Sequence, residues 1–109
     1  MRIGQGIDLH AFSSDPTRPL ILCGVIVEGA PGLDGHSDAD VATHSLIDAI
    51  LGASGLGDLG RHFPSGDDRF AGASSLDLLE VGLARLRHRA SRWAQQISPS
   101  WLRHLALGT

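Results

Sequence analysis

The chain has 109 residues, of which 42% are apolar, and a net charge of −3. This length suits one domain, and the apolar content argues against disorder across the chain. No apolar run reaches the roughly 18 residues of a membrane span, the first residues lack a secretory-signal pattern, and the total charge shows no nucleic-acid footprint. The single cysteine, Cys23, cannot form an internal disulfide, which is compatible with a reducing compartment. We therefore expect a cytoplasmic protein with no membrane or nucleic-acid partner.

Charge is distributed unevenly along the chain. All twelve acidic residues lie within residues 1–80, whereas residues 81–109 contain five arginines and no acid. Both tryptophans, Trp93 and Trp101, also lie in this second segment. A basic tail is typical of proteins that bind nucleic acid or anionic lipid. The other interpretation is that the tail has a different origin from the rest of the chain.

Two strands are predicted near the N-terminus. Residues 2–10 alternate in a way that places Ile3, Ile7 and Leu9 on one face of a strand. Asp8 and His10 then share the opposite face, because side chains two apart on a strand point the same way. Residues 20–27 are a near-continuous apolar run of strand length, interrupted by Cys23 and Gly24.

Two helices are predicted further along. The first starts at Ser37, with Asp40 in the place of the usual Glu of a capping box. Residues 55–68 are rich in glycine and aspartate and are predicted to be loop. The second helix starts at about Ser75, and no clear periodicity continues beyond His88. The apolar residues expected on the buried faces are Val41, Ile47, Ile50 and Leu51 in the first helix, and Leu76, Leu79, Leu83 and Leu86 in the second.

A metal site is one interpretation of three polar residues. Asp8 and His10 would stand about 7 Å apart on one strand face, and zinc takes such oxygen and nitrogen ligands. Alone this pair is weak evidence, since two polar residues on a solvated strand face look the same. His44, one helical turn after Asp40, could complete a set of three and leave the open position of a catalytic zinc.

Two further segments could bind a substrate. The backbone N–H groups at a helix start near Ser37 suit a phosphate, and His36 stands just before them. The alternative is an ordinary N-cap followed by acidic residues that the helix dipole favours. Between residues 57 and 67, Asp58 could hold a polyol hydroxyl, although without other context an ordinary loop between helices is the favoured interpretation of that segment.

Together these stretches resemble the 2-C-methyl-D-erythritol 2,4-cyclodiphosphate synthase family in order, spacing and flanks. The resemblance covers about residues 1–87, and a co-linear match of this length is far more specific than any one motif. The matching segments are Arg2-Ile3-Gly4-x-Gly6-x-Asp8-x-His10-Ala11-Phe12, Pro19-Leu20-Ile21-Leu22-x-Gly24-Val25, Gly32-Leu33-x-Gly35-His36-Ser37-Asp38-Ala39-Asp40-Val41-x-x-His44, Asp48-Ala49-Ile50-Leu51-Gly52-Ala53, Gly57-Asp58-Leu59-Gly60-x-His62-Phe63-Pro64 and Gly72-Ala73-Ser74-Ser75-x-x-Leu78-Leu79.

The resemblance implies a fold, an assembly and a set of site residues. The fold is α/β (α+β), a small single domain with one four-stranded sheet and helices, and the assembly is a homotrimer with active sites between subunits. Asp8, His10 and His44 match the zinc ligands, and His36 matches a catalytic residue that stabilises the transition state. The substrate-binding residues that the resemblance implies are Asp8, Leu9, His10, His36, Ser37, Asp58, Leu59, Gly60, Phe63, Pro64, Ser65, Gly66 and Asp67.

The implied reaction is that of a phosphorus–oxygen lyase in the non-mevalonate pathway of isoprenoid synthesis. In 4-diphosphocytidyl-2-C-methyl-D-erythritol 2-phosphate, the 2-phosphate attacks the β-phosphate of the diphosphate. CMP leaves, and 2-C-methyl-D-erythritol 2,4-cyclodiphosphate forms. Such phosphoryl transfer depends on metal and positioning more than on a protein nucleophile. The expected partner is therefore a small nucleotide-diphosphate substrate.

The chain also departs from the family pattern. Cys23 stands where the family usually has glycine, and Ser65-Gly66 replaces an Asp-Thr pair. After the second helix, the sequence lacks the family segments for the cytidine pocket, a catalytic threonine and the glutamate ligand of a second metal, usually magnesium. We therefore divide the chain into an incomplete synthase-like domain, residues 1–88, and an atypical tail, residues 89–109. A reading-frame shift near His88 would explain that tail, which we expect to pack poorly.

Three functions are compatible with these observations. The first is the synthase activity. The second is an inactive, truncated metal-binding remnant of the family, and the lack of the cytidine-pocket segment predicts that this 109-residue form does not release CMP. The third, a basic-tailed nucleic-acid or membrane binder, has the least support, because the tail shows no aromatic-basic interleaving of a known module.

Overall fold

A computed structural model describes residues 2–64 and 66–96, with side chains as far as residue 92. The fold is of the expected α+β class, with helices beside one antiparallel sheet. Of the four strands that the resemblance implies, the described residues form two. In chain order the elements are β1 (Leu20–Leu22), β2 (Val25–Val27), α1 (Val41–Ala53), α2 (Leu59–His62), a 3-10 turn (Asp68–Phe70) and α3 (Ser75–Gln96).

Strands β1 and β2 form a hairpin rather than the single strand predicted for residues 20–27. Leu22 pairs with Val25, so Cys23 and Gly24 alone make the turn. Their φ angles are +52° and +76°, and two successive positive values are typical of the two-residue turn that matches the twist of the flanking strands. The hairpin was missed because Cys-Gly is not among the pairs, such as Asn-Gly, that signal this turn.

Residues 2–10 do not form the predicted strand. Their backbone instead lies against α1, where a β-carbon on Gly4 would come within 1.9 Å of the Ala49 carbonyl oxygen. One on Gly6 would come within 1.7 Å of the Ser45 carbonyl oxygen, so only glycine permits this approach. A strand needs a hydrogen-bonded neighbour, and in the part of the chain that the structure describes this segment has a helix beside it instead.

Helix α1 begins at Val41, one turn later than the start predicted at Ser37. Asp40 is its N-cap, and the Asp40 Oδ1 atom accepts a hydrogen bond from the Thr43 N–H group at 3.0 Å. The helix cannot begin earlier because Ala39 has a φ of +54°, outside the right-handed helical range. Ser37 therefore lies in the loop before the helix, and the predicted capping box was wrong.

Helix α3 begins at Ser75, as predicted, and its first half packs against α1. The orientation of its apolar face differs from the prediction, since Leu78 is buried whereas Leu76 is 45% exposed. On α1 the predicted Ile47 and Leu51 are fully buried, but Val41 and Ile50 are only half-buried. The hydrophobic core of the described residues consists of Ile47, Leu51, Phe63 and Leu78.

The second half of the chain contains more helix than predicted. Helix α2 and the 3-10 turn lie within or next to residues 55–68, which were predicted to be loop, and α3 continues through Gln96, past the predicted end of periodicity at His88. The division at residue 88 stays a prediction, and residues 97–109 of the predicted tail lie outside the described residues. Within the described residues, none of the helices has the length and apolarity to cross a membrane.

Candidate metal centre and adjoining cavity

The structure brings Asp8, His10 and His44 together. The Asp8 Oδ2 atom lies 2.8 Å from His10 Nε2 and 3.1 Å from His44 Nδ1. One ligand atom from each residue lies within 4.8 Å of the others, a grouping that could hold a metal ion. The two glycines that bring the N-terminal segment onto α1 therefore also carry Asp8 to His44, one turn into that helix.

Main-chain contacts orient His10 toward this cluster. The His10 Nδ1 atom lies 2.5 Å from the Asp34 carbonyl oxygen. A carbonyl only accepts, so Nδ1 carries a proton, and in the neutral ring Nε2 is the atom whose lone pair faces Asp8. Gly35 keeps room for this ring, since a β-carbon there would lie 3.0 Å from His10 Cε1. A metal-binding histidine commonly has its second nitrogen held in this way.

His44 is the most enclosed member of the cluster, with 5% of its surface exposed. Its Nδ1 atom faces Asp8, while its Nε2 atom lies 2.7 Å from Ser75 Oγ and 3.2 Å from Ser37 Oγ. Both ring nitrogens therefore have polar neighbours. The ring is held between the N-terminal segment on one side and the start of α3 on the other.

A cavity of about 280 Å³ opens beside the cluster. Of the residues predicted to bind substrate, it brings together Asp8, Leu9, His10, His36, Ser37, Leu59, Gly60 and Phe63. Asp58 lines an adjoining cavity of about 360 Å³, which Asp8, Leu59 and Gly60 also line. A larger cavity of about 700 Å³ lies beside α3, and its walls contain none of the predicted site residues.

Arg18 holds the loop that carries His36 and Ser37. Its Nη2 atom donates to the Gly35 carbonyl oxygen at 3.1 Å and to the Ser37 carbonyl oxygen at 2.8 Å. From the other side, the His36 carbonyl accepts from the Gly72 N–H group at 2.8 Å. The predicted anion site at a helix start does not form at Ser37, because α1 begins at Val41.

The carboxylates of the predicted substrate loop have structural partners. Asp58 is the N-cap of α2 and accepts from the Arg61 N–H group. Asp67 caps the 3-10 turn and pairs with Arg69 at 2.5 Å. Hydrogen bonds from Arg69 hold the pKa of Asp67 below its ordinary value. Pro64 and Gly66 are exposed and line neither of the two cavities beside the cluster, and Ser65 lies outside the described residues.

Three polar residues next to the site were not predicted to belong to it. Ser75 contacts His44, Asp38 contacts Ser75, and Asp48 lines the adjoining cavity while accepting from the Leu59 N–H group at 2.9 Å. Asp38 and Ser75 are 37 positions apart, and no local spacing pattern connects them. The only signal was their presence in the family-like segments.

The sequence profile of the YgbB family matches residues 1–97, so the chain belongs to the YgbB family. The 2-C-methyl-D-erythritol 2,4-cyclodiphosphate synthase of Bordetella avium is 58% identical over 85 residues, which are 78% of this chain and 51% of that protein. The synthase of Symbiobacterium thermophilum is 59% identical over 85 residues, which are 76% of this chain and 53% of that protein. The family expected from the sequence segments is thus confirmed.

Solved structures agree with this assignment. A CDP-bound form of 2C-methyl-D-erythritol-2,4-cyclodiphosphate synthase superimposes with a TM-score of 0.71 at 42% identity, over 82% of this chain and 58% of that chain. The chain spans about half the length of the curated relatives that it matches. The residues 1–97 that match the family profile include the cluster and the residues that line its cavity.

Proposed function

We propose that this chain carries the metal centre and the methylerythritol end of a cyclodiphosphate synthase active site. The full reaction converts 4-diphosphocytidyl-2-C-methyl-D-erythritol 2-phosphate to 2-C-methyl-D-erythritol 2,4-cyclodiphosphate and CMP. The observation that carries this proposal is the convergence of Asp8, His10 and His44 beside a cavity that His36 and Ser37 line. As in the sequence interpretation, the protein is proposed to be a cytoplasmic lyase that assembles as a homotrimer.

The proposed metal is zinc. Two imidazole nitrogens and one carboxylate oxygen match the three protein ligands of a catalytic zinc site, which leaves a further position for substrate. The ligand atoms of such a site lie about 2.0–2.2 Å from the ion, and the separations of 2.8 and 3.1 Å between Asp8 Oδ2 and the two imidazole nitrogens would widen slightly to admit it. Such an ion, when bound, supplies Lewis-acid stabilisation of charge on a phosphoryl oxygen.

The other residues of the cavity are proposed to position the substrate. His36 is exposed and Ser37 is half-buried, and both are held by the contacts of their loop with Arg18. An imidazole and a hydroxyl in these places suit a phosphate oxygen on which charge increases during transfer. Gly60 and Phe63 line the cavity wall, where a polyol carbon chain would lie against an aromatic face and a backbone without a side chain.

The second candidate is metal binding without turnover. The observation that favours it is that the match extends over about half of each curated relative, and the resemblance implies a cytidine pocket in the other half. Phosphoryl transfer requires both ends of the substrate to be held in line. For the purified 109-residue chain alone, we therefore expect zinc binding with little or no release of CMP.

Incubating the purified chain with zinc and substrate, and following CMP by chromatography, separates the two candidates. Synthase activity predicts CMP release that His44→Ala abolishes and that His36→Ala slows by about 100-fold. His88→Ala is the matched control, because this exposed histidine lies on α3 away from the cluster. Zinc retention without CMP release supports the second candidate, and a chain that neither binds zinc nor releases CMP contradicts both.

A further inference from the structure

We propose that Ser75 and Asp38 are positioning residues for His44, so that the start of α3 sets which nitrogen of His44 has its lone pair free to bind a metal. The inference rests on the proposed metal site and adds two residues to it. Neither residue is one of the three proposed ligands. Both act through His44, which connects helix α3 to a cluster otherwise formed by the N-terminal segment and α1.

The contacts form a continuous chain of hydrogen bonds. His44 Nε2 lies 2.7 Å from Ser75 Oγ, and Ser75 Oγ is hydrogen-bonded to Asp38 Oδ1. The second oxygen of Asp38 accepts from the Ser75 N–H group at 2.8 Å. Ser75 is fully buried, so water does not compete for its hydroxyl. Asp38 therefore holds both the backbone and the side chain of Ser75.

The direction of each hydrogen bond follows from the groups involved. An ionised carboxylate only accepts, and a serine hydroxyl has a single proton to donate. The Ser75 proton therefore goes to Asp38, which leaves the Ser75 oxygen to accept from the Nε2–H group of His44. In the neutral ring of His44, the free lone pair is then on Nδ1, the atom that faces Asp8.

The hydrogen bonds of His10 likewise indicate which of its ring nitrogens carries the proton. His10 donates from Nδ1 to a carbonyl and presents the Nε2 lone pair to the same oxygen of Asp8. When both rings are neutral, three acceptor atoms converge, an arrangement that a metal ion satisfies. Ser37 is the weaker partner of His44, because its Oγ atom lies farther from His44 Nε2, at 3.2 Å, than Ser75 Oγ does, at 2.7 Å.

The first measurement is zinc affinity, by competition with a chromogenic chelator on the full chain. Ser75→Ala is expected to weaken zinc binding by about 10- to 100-fold, the usual effect of removing a partner of a metal ligand. Ser75→Thr keeps a hydroxyl and should restore most of that affinity. Ser74→Ala is the matched control, since Ser74 is exposed next to Ser75, and it should bind zinc as the unaltered chain does.

The second measurement identifies the His44 tautomer in the metal-free protein, by long-range nitrogen–proton NMR. The unaltered chain should carry the His44 proton on Nε2, and Ser75→Ala should raise the population with the proton on Nδ1. A proton on Nδ1 in the unaltered chain overturns the inference. This measurement is made on the unaltered chain, so it does not depend on whether any variant folds. Unchanged zinc affinity in Ser75→Ala, with affinity lost in His44→Ala, also overturns it while the metal site stands. Unchanged affinity in His44→Ala overturns the metal site itself.

Discussion

Cys23 occupies a backbone conformation that disfavours its own side chain. Its φ of +52° lies in the left-handed region, and the next residue, Gly24, has a φ of +76°. For a residue with a β-carbon this conformation costs about 1–2 kcal/mol, whereas glycine adopts it without steric strain. The pairing of Leu22 with Val25 leaves only these two residues for the turn, so Cys23 cannot relax without loss of the hairpin register.

Replacing Cys23 with glycine should therefore stabilise the protein. We expect Cys23→Gly to raise the free energy of unfolding by about 0.5–1 kcal/mol. The strain energy that the folded state loses is larger than the free energy that the unfolded chain gains from the greater conformational entropy of glycine. Urea unfolding followed by circular dichroism measures this change. Cys23→Ala is the control, because it removes the exposed thiol but keeps the β-carbon. Equal gains in both variants would show that the thiol, and not the backbone, is responsible.

At the scale of elements, Asp40 joins the β1–β2 hairpin to helix α1. Its two oxygens accept hydrogen bonds from the N–H groups of Cys23 and Gly24 at 3.0 and 2.8 Å. They also accept from the N–H group and the hydroxyl of Thr43 at 3.0 and 2.9 Å. The Asp40 side chain is fully buried. One carboxylate thus accepts the hydrogen bonds of donors in both the hairpin turn and the first turn of α1.

These contacts predict a specific loss of stability in acid. Burial alone would raise the pKa of Asp40, but the hydrogen bonds from Thr43, Gly24 and Cys23 outweigh it and lower the pKa below its ordinary value. The folded pKa is the lower one, so the contribution of Asp40 is fully present above the unfolded value of about 3.9. As pH falls below that value the unfolded state binds its proton first, and the contribution is lost as pH falls through the folded pKa.

Asp40→Asn tests this contribution. At neutral pH we expect the variant to be less stable by about 2 kcal/mol, since it loses a charged cap and leaves buried donors poorly matched. The difference from the unaltered chain should shrink as the pH of urea unfolding is lowered from 7 toward 2. Glu80→Gln, at an exposed position on α3, should show no comparable effect. A difference in the free energy of unfolding that stays constant across this pH range would contradict the role given to Asp40.

The sequence predicted elements where periodicity and local signals agree. The start of α3 at Ser75 and the burial of Ile47 and Leu51 follow from helical spacing. Periodicity could not indicate that residues 2–10 lie on α1, because alternation describes side-chain directions and not the neighbour of the backbone. The later start of α1 depends on the positive φ of Ala39, which an alanine gives no reason to expect.

The candidate site was predictable to a similar extent. The family-like segments predicted that Asp8, His10 and His44 would converge, and the structure places them within 4.8 Å of one another. Their proposed role as zinc ligands stays a prediction. The contact between Asp38 and Ser75 joins residues far apart in the chain, and it arises only when the start of α3 packs beside α1. No spacing rule for a single element contains such information.

At the scale of the whole molecule, the described residues leave several large apolar side chains open to solvent. In the N-terminal segment, Ile3 is 84% and Leu9 91% exposed, and Ile7 is exposed between them. These three residues were predicted to form one face of a strand, and in the structure their apolar side chains are exposed to water. Phe12, Val25 and Ile26 are also exposed. Several large apolar side chains exposed along one segment of a folded protein are typical of an interaction site or favour aggregation.

We therefore expect the chain to self-associate through its N-terminal segment. Sedimentation velocity over a range of protein concentrations should show the mean sedimentation coefficient rising with concentration, because association removes Ile3, Ile7 and Leu9 from water. Changing all three to threonine puts a hydroxyl in place of apolar carbon, keeps the β-branching of Ile3 and Ile7, and should suppress the rise. Leu46→Gln with Val81→Gln is the control, since these exposed apolar residues lie on helices. Equal association of the threonine variant would show that another surface is responsible, and a limiting mass of three chains would support the homotrimer that the family resemblance implies.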